Sequence, residues 1–135
     1  MAFYGTPNGI QFSILVVEDD QILGEILMRG LKDNNLQGLL INDGEEAIDY
    51  LADHSPHLLI LDLHLPKKDG FEVLEWIRHD SSKKQLPVII LTNIDRKEDI
   101  ERAEKLGVQG YIVKVLSTTN KIIQQIIDVL HKTYL

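Results

Sequence analysis

The chain reads as an α/β fold, a doubly wound sheet of five parallel strands in the order 2-1-3-4-5. Three observations predict it. Short apolar runs alternate with helical-period segments in five β–α units, with no long gap between them. The central run, Leu58-Leu59-Ile60-Leu61, is too short for a helix and apolar throughout, as expected of a strand covered on both faces. The runs end on polar residues: Glu18-Asp19, Asp62, Thr92 and Lys114. Right-handed crossovers leave few topologies for such a chain, and 2-1-3-4-5 is the common one for five units.

Residues 1–12 are expected to form a flexible tail, with Gly5, Pro7, Asn8 and Gly9 marking a loose start, and residues 13–135 to form one domain. Ser13 to Val17 reads as the first strand. Gln21 to Lys32 is helical, with Ile22, Leu23, Ile26, Leu27 and Leu31 recurring at helical spacing, and Asp33-Asn34-Asn35 stops it. Gly38 to Ile41 is a short second strand. Asn42-Asp43-Gly44 turns into a helix from Glu45 to Asp53, which offers Ala47, Ile48 and Leu51 to the core. His54-Ser55-Pro56 leads to the central strand. Beyond it, Pro66 breaks regular pairing and Asp69-Gly70 opens a third helix to His79, with Val73, Leu74 and Ile77 inward and Trp76 half-buried at the edge.

Pro87 to Thr92 is the fourth strand. The fourth helix, Lys97 to Leu106, offers only Ile100, Ala103 and Leu106, so weak anchoring is expected, and Gly107 caps it. Gly110 to Lys114 is the fifth strand, and a last helix runs from about Thr119 to Thr133. Its Ile122, Ile123, Ile126, Ile127, Val129, Leu130 and Tyr134 cover an arc of roughly 160°, wider than a surface helix requires. Two readings of that arc stand side by side: a deep core helix, or a partner face shared with the fourth helix and fifth strand. The resulting (βα)5 order is flavodoxin-like.

Composition narrows the function. The 135 residues are 44% hydrophobic and 26% charged, which is ordinary for a folded domain. A net charge of -7 argues against a nucleic-acid surface. With no cysteine, disulfides, thiolate metal sites and Cys nucleophiles are excluded. No secretory signal and no stretch of about 20 apolar residues appears, so a soluble cytoplasmic domain without membrane contact is expected. His54 and His57 are spaced like a metal pair but have no other ligands in view. The charged run from Arg96 to Lys105 reads as a solvated helix face, whose mixed signs would also suit ion pairs across a symmetric dimer.

Parallel strands bring their carboxyl ends to one edge, so the polar strand ends gather in one crevice. Three carboxylates held together repel unless a cation joins them, and a hard divalent ion, most naturally Mg2+, suits oxygen ligands. Lys114 adds a positive point charge and Thr92 a hydroxyl. Together they make an electrostatic clamp for a phosphoryl group. A carboxylate can itself attack phosphorus, and Asp62, on the central strand, is the best candidate.

Over residues 13 to 133 the chain resembles the receiver domain of bacterial two-component response regulators. The matching segments are Ile14-Leu15-Val16-Val17-Glu18-Asp19-Asp20, Leu61-Asp62-Leu63-His64-Leu65-Pro66 with Asp69-Gly70, Leu91-Thr92, and Gly110-Tyr111-Ile112-Val113-Lys114. Each is weak alone, but the ordered set is specific. The resemblance implies a signalling phosphoacceptor rather than an enzyme, catalysing only its own phosphoryl transfer and slow autodephosphorylation. Asp62 would take a phosphoryl group from a phosphohistidine on a sensor histidine kinase or phosphotransfer protein. Glu18, Asp19 and Asp62 would hold Mg2+ (Glu18 through water), with the backbone carbonyl of His64. Thr92 and Lys114 would bind the phosphoryl oxygens, and Thr92 with Tyr111 would switch the surface of the fourth helix, fifth strand and last helix, controlling partner binding or homodimerisation. Asp20 matches no ligand position and reads as a solvated neighbour.

Two positions depart from the family pattern. Val115 stands where a proline, often joined by a cis bond, usually follows the lysine, and a cis bond before a non-proline residue costs about 2.5–4 kcal/mol. The loop is therefore either trans and differently shaped, or strained. Asn93 replaces the small residue usual after the threonine and reads as a small surface variation, the alternative being a residue that narrows access to the phosphoryl group. His64, two places past Asp62, is expected to tune the lifetime of the phosphoryl group. The rival readings are a receiver-like module that only binds partners, and an aspartyl-phosphate hydrolase of the haloacid dehalogenase type. The latter needs a second Asp where His64 stands. No output domain follows Leu135, so the chain reads as a stand-alone receiver or a fragment of a longer regulator.

Overall fold

The computed structural model describes residues 11–80 and 82–135. The strands β1 (Ser13–Val17), β2 (Gln37–Ile41), β3 (Leu58–Leu61), β4 (Val88–Thr92) and β5 (Gly110–Val113) pair in parallel in the order β2-β1-β3-β4-β5. The helices between and after them are α1 (Gln21–Asp33), α2 (Gly44–Asp53), α3 (Gly70–His79), α4 (Lys97–Lys105) and α5 (Thr119–Tyr134). The expected architecture and strand order are those observed. Lys114 differs from expectation: it opens a 3-10 turn, Lys114–Leu116, instead of ending β5.

Alternation along the strands sorts the core into two layers. Ile14, Val16, Leu58, Ile60, Ile89, Leu91 and Ile112 face the side covered by α1 and α5. Leu15, Val17, Leu59, Leu61, Val88 and Ile90 face the side covered by α2, α3 and α4. All four residues of β3 are buried, as its unbroken apolar run requires of the middle strand.

Most of the expected tail, residues 1–10, lies outside the described residues. Phe12, placed in the tail by sequence, is instead fully buried. Its ring meets His57 edge-on at 4.9 Å and lies 5.4 Å from Tyr134. Phe12 thus packs into the core layer beneath α5. The two spaced histidines have separate local roles: His54 stacks on Tyr50 at 4.2 Å, and His57 Nδ1 accepts the Ser13 N–H at 2.9 Å.

Helix ends follow the expected chemistry. Asp43 and Asp69 accept from Glu46 N–H and Glu72 N–H, at 2.8 and 2.9 Å, at the starts of α2 and α3. Asn35, in the left-handed region at φ 58°, closes α1, and Gly107 at φ 75° follows α4. On α1 the expected Leu27 and Leu31 are buried, together with Gly24, but Ile22 and Ile26 of the same stripe are 73% and 46% exposed. The arc on α5 resolves in favour of the core, because Ile122, Ile123, Ile126, Ile127 and Leu130 are all buried within the chain.

On α4 only Ala103 is buried, as the thin stripe implied. Arginines supplement it. Arg102 lies 4.1 Å over the Phe71 ring and bonds Glu75 at 2.9 Å. Arg78 donates to Leu106 O at 2.6 Å and Gly107 O at 3.1 Å. The charges of α4 are also paired locally, Arg96 with Asp99 at 2.8 Å and Lys97 with Glu101 at 3.8 Å.

Candidate functional site

The backbone ladder runs one residue past the strands and fixes where the acids stand. Glu18 N–H donates to Ile41 O at 3.0 Å, and Asp62 N–H to Val17 O at 3.0 Å. Glu18 and Asp62 are consequently held at the carboxyl edge of adjacent strands, 2% and 3% exposed, while Asp19 is exposed beside them. One carboxylate oxygen from each of Glu18, Asp19 and Asp62 lies within 4.8 Å of the others.

Lys114 reaches in from the end of β5. Its Nζ is 2.6 Å from Glu18 Oε1 and donates to Asp62 Oδ2 at 2.7 Å. The other Asp62 oxygen, Oδ1, accepts His64 N–H at 3.1 Å, and Glu18 Oε2 accepts Asp20 N–H at 3.1 Å. Glu18 Oε1 is buried without a hydrogen bond of good geometry, although the Lys114 ammonium is within ion-pair distance. Burial pushes the Glu18 carboxyl up to about 7 against the pull of Lys114, and the charge of Asp62 adds to the rise. Burial alone would lower Lys114, but its bonds to Asp62 and Glu18 outweigh it and the ammonium ends above its usual value.

Thr92 ends β4, one strand away from Asp62, and is 1% exposed. Its hydroxyl accepts Ile94 N–H at 3.4 Å. Tyr111, half-buried on β5, donates to Ile94 O at 2.6 Å. Burial pushes its phenol up to about 12, with Asp99, Asp95 and Asp62 adding to the rise. Thr92 and Tyr111 thus meet the same short loop, at Ile94. The His64 side chain is exposed at the rim.

Asp20 is more than a solvated neighbour. It is the N-cap of α1, its Oδ1 accepting Ile22 N–H at 3.1 Å and Leu23 N–H at 3.2 Å. An Asp immediately before the first helical residue is the sequence signal for that role.

A parallel sheet in this order, with an acid cluster and a lysine at its carboxyl edge, is the arrangement of a receiver. The response regulator receiver domain profile matches residues 14–127, and the chain belongs to that family. Among its relatives is the probable methanogenesis regulatory protein FilR2 of Methanothrix harundinacea, 36% identical over 78% of this chain and 74% of that protein. The polar-differentiation response regulator DivK of Brucella anthropi is 30% identical over 78% of this chain and 85% of its own. Solved receiver structures are similar too. The phosphorylated cyanobacterial phytochrome response regulator RcpA superposes with a TM-score of 0.77, at 32% identity over 90% of this chain and 92% of that one. The Mn2+-bound form of response regulator Rcp1 superposes at 0.75, with 29% identity over 92% and 94%. The hydrolase and the purely partner-binding readings find no support in these comparisons. Receiver domains work with histidine kinases or phosphotransfer proteins and generally bind Mg2+ at an acidic cluster, and this structure has such a cluster. Among the described residues, no helix is long and apolar enough to cross a membrane.

Proposed function

We propose that Asp62 accepts a phosphoryl group from a phosphohistidine. The observation that carries this reading is Lys114 Nζ, 2.7 Å from Asp62 Oδ2 and 2.6 Å from Glu18 Oε1, beside a three-carboxylate cluster. An Asp62 carboxylate oxygen attacks phosphorus, the new O–P bond forms as the N–P bond breaks, and the electron pair returns to the imidazole nitrogen. Lys114 and Thr92 bind the equatorial phosphoryl oxygens, so the acyl phosphate is held by an ammonium and a hydroxyl.

The residues fit a divalent ion. One carboxylate oxygen each from Glu18, Asp19 and Asp62 converges within 4.8 Å, and the single Lys114 ammonium offsets only one of the three negative charges. Glu18, Asp19 and Asp62 would hold Mg2+ with the His64 carbonyl, and the ion would neutralise charge on the transferring group. The Mn2+-bound Rcp1 and phosphorylated RcpA support both halves of the reading.

The switch is the Ile94 loop, through which Thr92 and Tyr111 are linked. A Thr92 hydroxyl drawn to the phosphoryl group leaves Ile94 N–H, and the loop that accepts from Tyr111 moves with it. A homodimer through α4, β5 and α5 would be built on the charges of α4, since the apolar side of α5 is buried.

The experiment is incubation with acetyl phosphate and Mg2+, followed by intact mass measurement and hydroxylamine treatment. One phosphoryl group per chain, lost to hydroxylamine and absent when EDTA replaces Mg2+, is expected. No uptake, or uptake indifferent to EDTA, overturns the reading.

The donor must bring its histidine to the Asp62 carboxylate, so it must cover the rim. Four large apolar residues are exposed there: Ile22 and Ile26 beyond the Asp20 cap, and Val115 and Leu116 beside Lys114, at 73%, 46%, 76% and 77%. A helical phosphohistidine carrier with an apolar flank suits that rim. Ile22→Lys should slow transfer from a phosphorylated carrier about tenfold or more, as expected for a buried anchor. Uptake from acetyl phosphate, which needs no docking, should stay within about twofold. Equal loss with both donors would refute this docking surface.

A further inference from the structure

The two residues that depart from the family pattern touch each other. β4 and β5 are neighbours, with Thr92 opposite Val113, so the residues that follow Thr92 and Lys114 leave the sheet side by side. Asn93 Oδ1 accepts Val115 N–H at 3.2 Å. That N–H exists only because residue 115 is not proline. The chain has no cis peptide bond among the described residues, so the Lys114–Val115 bond is trans. The segment then closes into a 3-10 turn, with Ser117 N–H donating to Lys114 O at 3.3 Å. Lys114 therefore leaves its strand between two fixed points, the β5 ladder before it and the Asn93 carboxamide after it.

We propose that Asn93 is a positioning residue for phosphoryl capture, its side-chain oxygen holding Val115 N–H so that Lys114 stays aimed at Asp62. The proposal rests on the phosphoacceptor reading of Asp62. Where the family uses a proline to shape the lysine loop, this chain uses a hydrogen bond between the residue after Thr92 and the residue after Lys114. The two departures are one device, which ties the phosphoryl-binding hydroxyl and ammonium together from outside the acid cluster. Asn93 neither contacts the metal-suited carboxylates nor occupies the place of a ligand, so its loss should weaken capture of the phosphoryl donor and spare Mg2+ binding.

The test is a double-mutant cycle with Asn93→Leu, which keeps the side-chain shape and removes the acceptor, and Val115→Pro, which removes the donor. In the wild-type background Asn93→Leu should raise the half-saturating concentration of acetyl phosphate about fivefold, the worth of one neutral hydrogen bond. Mg2+ affinity by calorimetry should change less than about twofold. With Val115→Pro already present, Asn93→Leu should add less than about twofold, because the bond is already gone. An equal effect in both backgrounds means Asn93 acts alone at the rim, and the proposal fails. Should Val115→Pro not fold, amide exchange at Val115 decides: Asn93→Leu should accelerate it about fivefold and Asn93→Asp, which keeps an acceptor oxygen, should not. Unchanged exchange in Asn93→Leu overturns the proposal. If the wild type takes up no phosphoryl group, it is the phosphoacceptor reading that fails, and Val115 exchange still reports whether Asn93 holds the loop.

Discussion

Asp62→Asn should reduce phosphoryl uptake from acetyl phosphate to below about 1% of wild type, because a neutral carboxamide offers no oxygen able to form a stable acyl phosphate. The substitution is nearly isosteric, which separates chemistry from folding. The carboxamide oxygen that replaces the carboxylate can still accept His64 N–H, the bond that Asp62 Oδ1 makes at 3.1 Å. Lys114 loses its 2.7 Å partner but keeps Glu18 at 2.6 Å, so the buried ammonium is not left without a counter-charge. One of the contributions that raises Glu18 is the charge of Asp62, so the Glu18 carboxyl should titrate lower in the variant. The sign for stability follows. A Glu raised from 4.5 to about 7 on folding costs stability as pH rises through that window, and relieving part of the rise returns some of it at neutral pH. That gain opposes the lost ion pair, so Tm should stay within about 5 °C of wild type. Intact mass and thermal unfolding on the same samples check both halves. A variant that is labelled as well as wild type means the acceptor is another residue.

The sheet order and the acid cluster were legible because both follow from strand ends. An apolar run that stops on Glu18 or Asp62 marks the carboxyl edge, and parallel pairing does the rest. What was not legible depends on residues that carry no apolar signal. The stripe on α1, Ile22, Leu23, Ile26, Leu27 and Leu31, omits Gly24, where the helix approaches β2 and an added Cβ would come within 2.6 Å of the Leu40 side chain. A glycine leaves no mark in a hydrophobic period, so the stripe extends too far round the helix: Leu27 and Leu31 are in the core, and Ile22 and Ile26 are outside it. The arginine contacts that supplement the thin stripe of α4 leave no apolar mark either. Arg78 and Arg102 reach carbonyls and a ring about one βα unit away in sequence, and a charged residue on a surface helix does not announce such a partner. The arc on α5 was ambiguous by itself and is decided by packing, where α1 comes close enough at Gly30 for Ile123 to fill the space over it. The Asn93–Val115 bond joins residues that are neighbours only because β4 and β5 are.

Gly70→Ala should destabilise the domain by about 3 kcal/mol, lowering Tm by about 10 °C. Two effects oppose each other. Alanine is the better helix former by about 1 kcal/mol in a helix interior, and Gly70 is the first residue of α3, where that benefit is smaller. Against it stands contact with backbone: a Cβ at Gly70 would lie 2.2 Å from the carbonyl oxygen of Asp62 and 2.5 Å from Leu63 Cα. Neither atom is the end of a flexible side chain, and Asp62 is tied by its own N–H to Val17 O at 3.0 Å, so β3 cannot yield without disturbing β1. The Gly70 N–H also donates to Leu63 O at 3.0 Å, which closes the turn on the far side. The clash therefore outweighs the helix propensity. Gly30→Ala provides the contrast, because the atoms it would meet, at 3.1 Å, are Cδ1 and Cγ1 of the Ile123 side chain, which need give by only a few tenths of an ångström and are not backbone. That variant should lie within about 1 kcal/mol of wild type, because the helix-propensity gain of about 1 kcal/mol offsets the tight contact with Ile123. Because the displaced atom belongs to Asp62 itself, Gly70→Ala should also slow phosphoryl uptake about tenfold or more at temperatures where it remains folded, the scale of loss expected when a reacting group is moved by an ångström. Thermal unfolding and acetyl phosphate kinetics at low temperature check the two expectations. An unchanged or higher Tm for Gly70→Ala would mean that the start of α3 and the Asp62 loop are not locked together, and that the acid is positioned by the sheet alone.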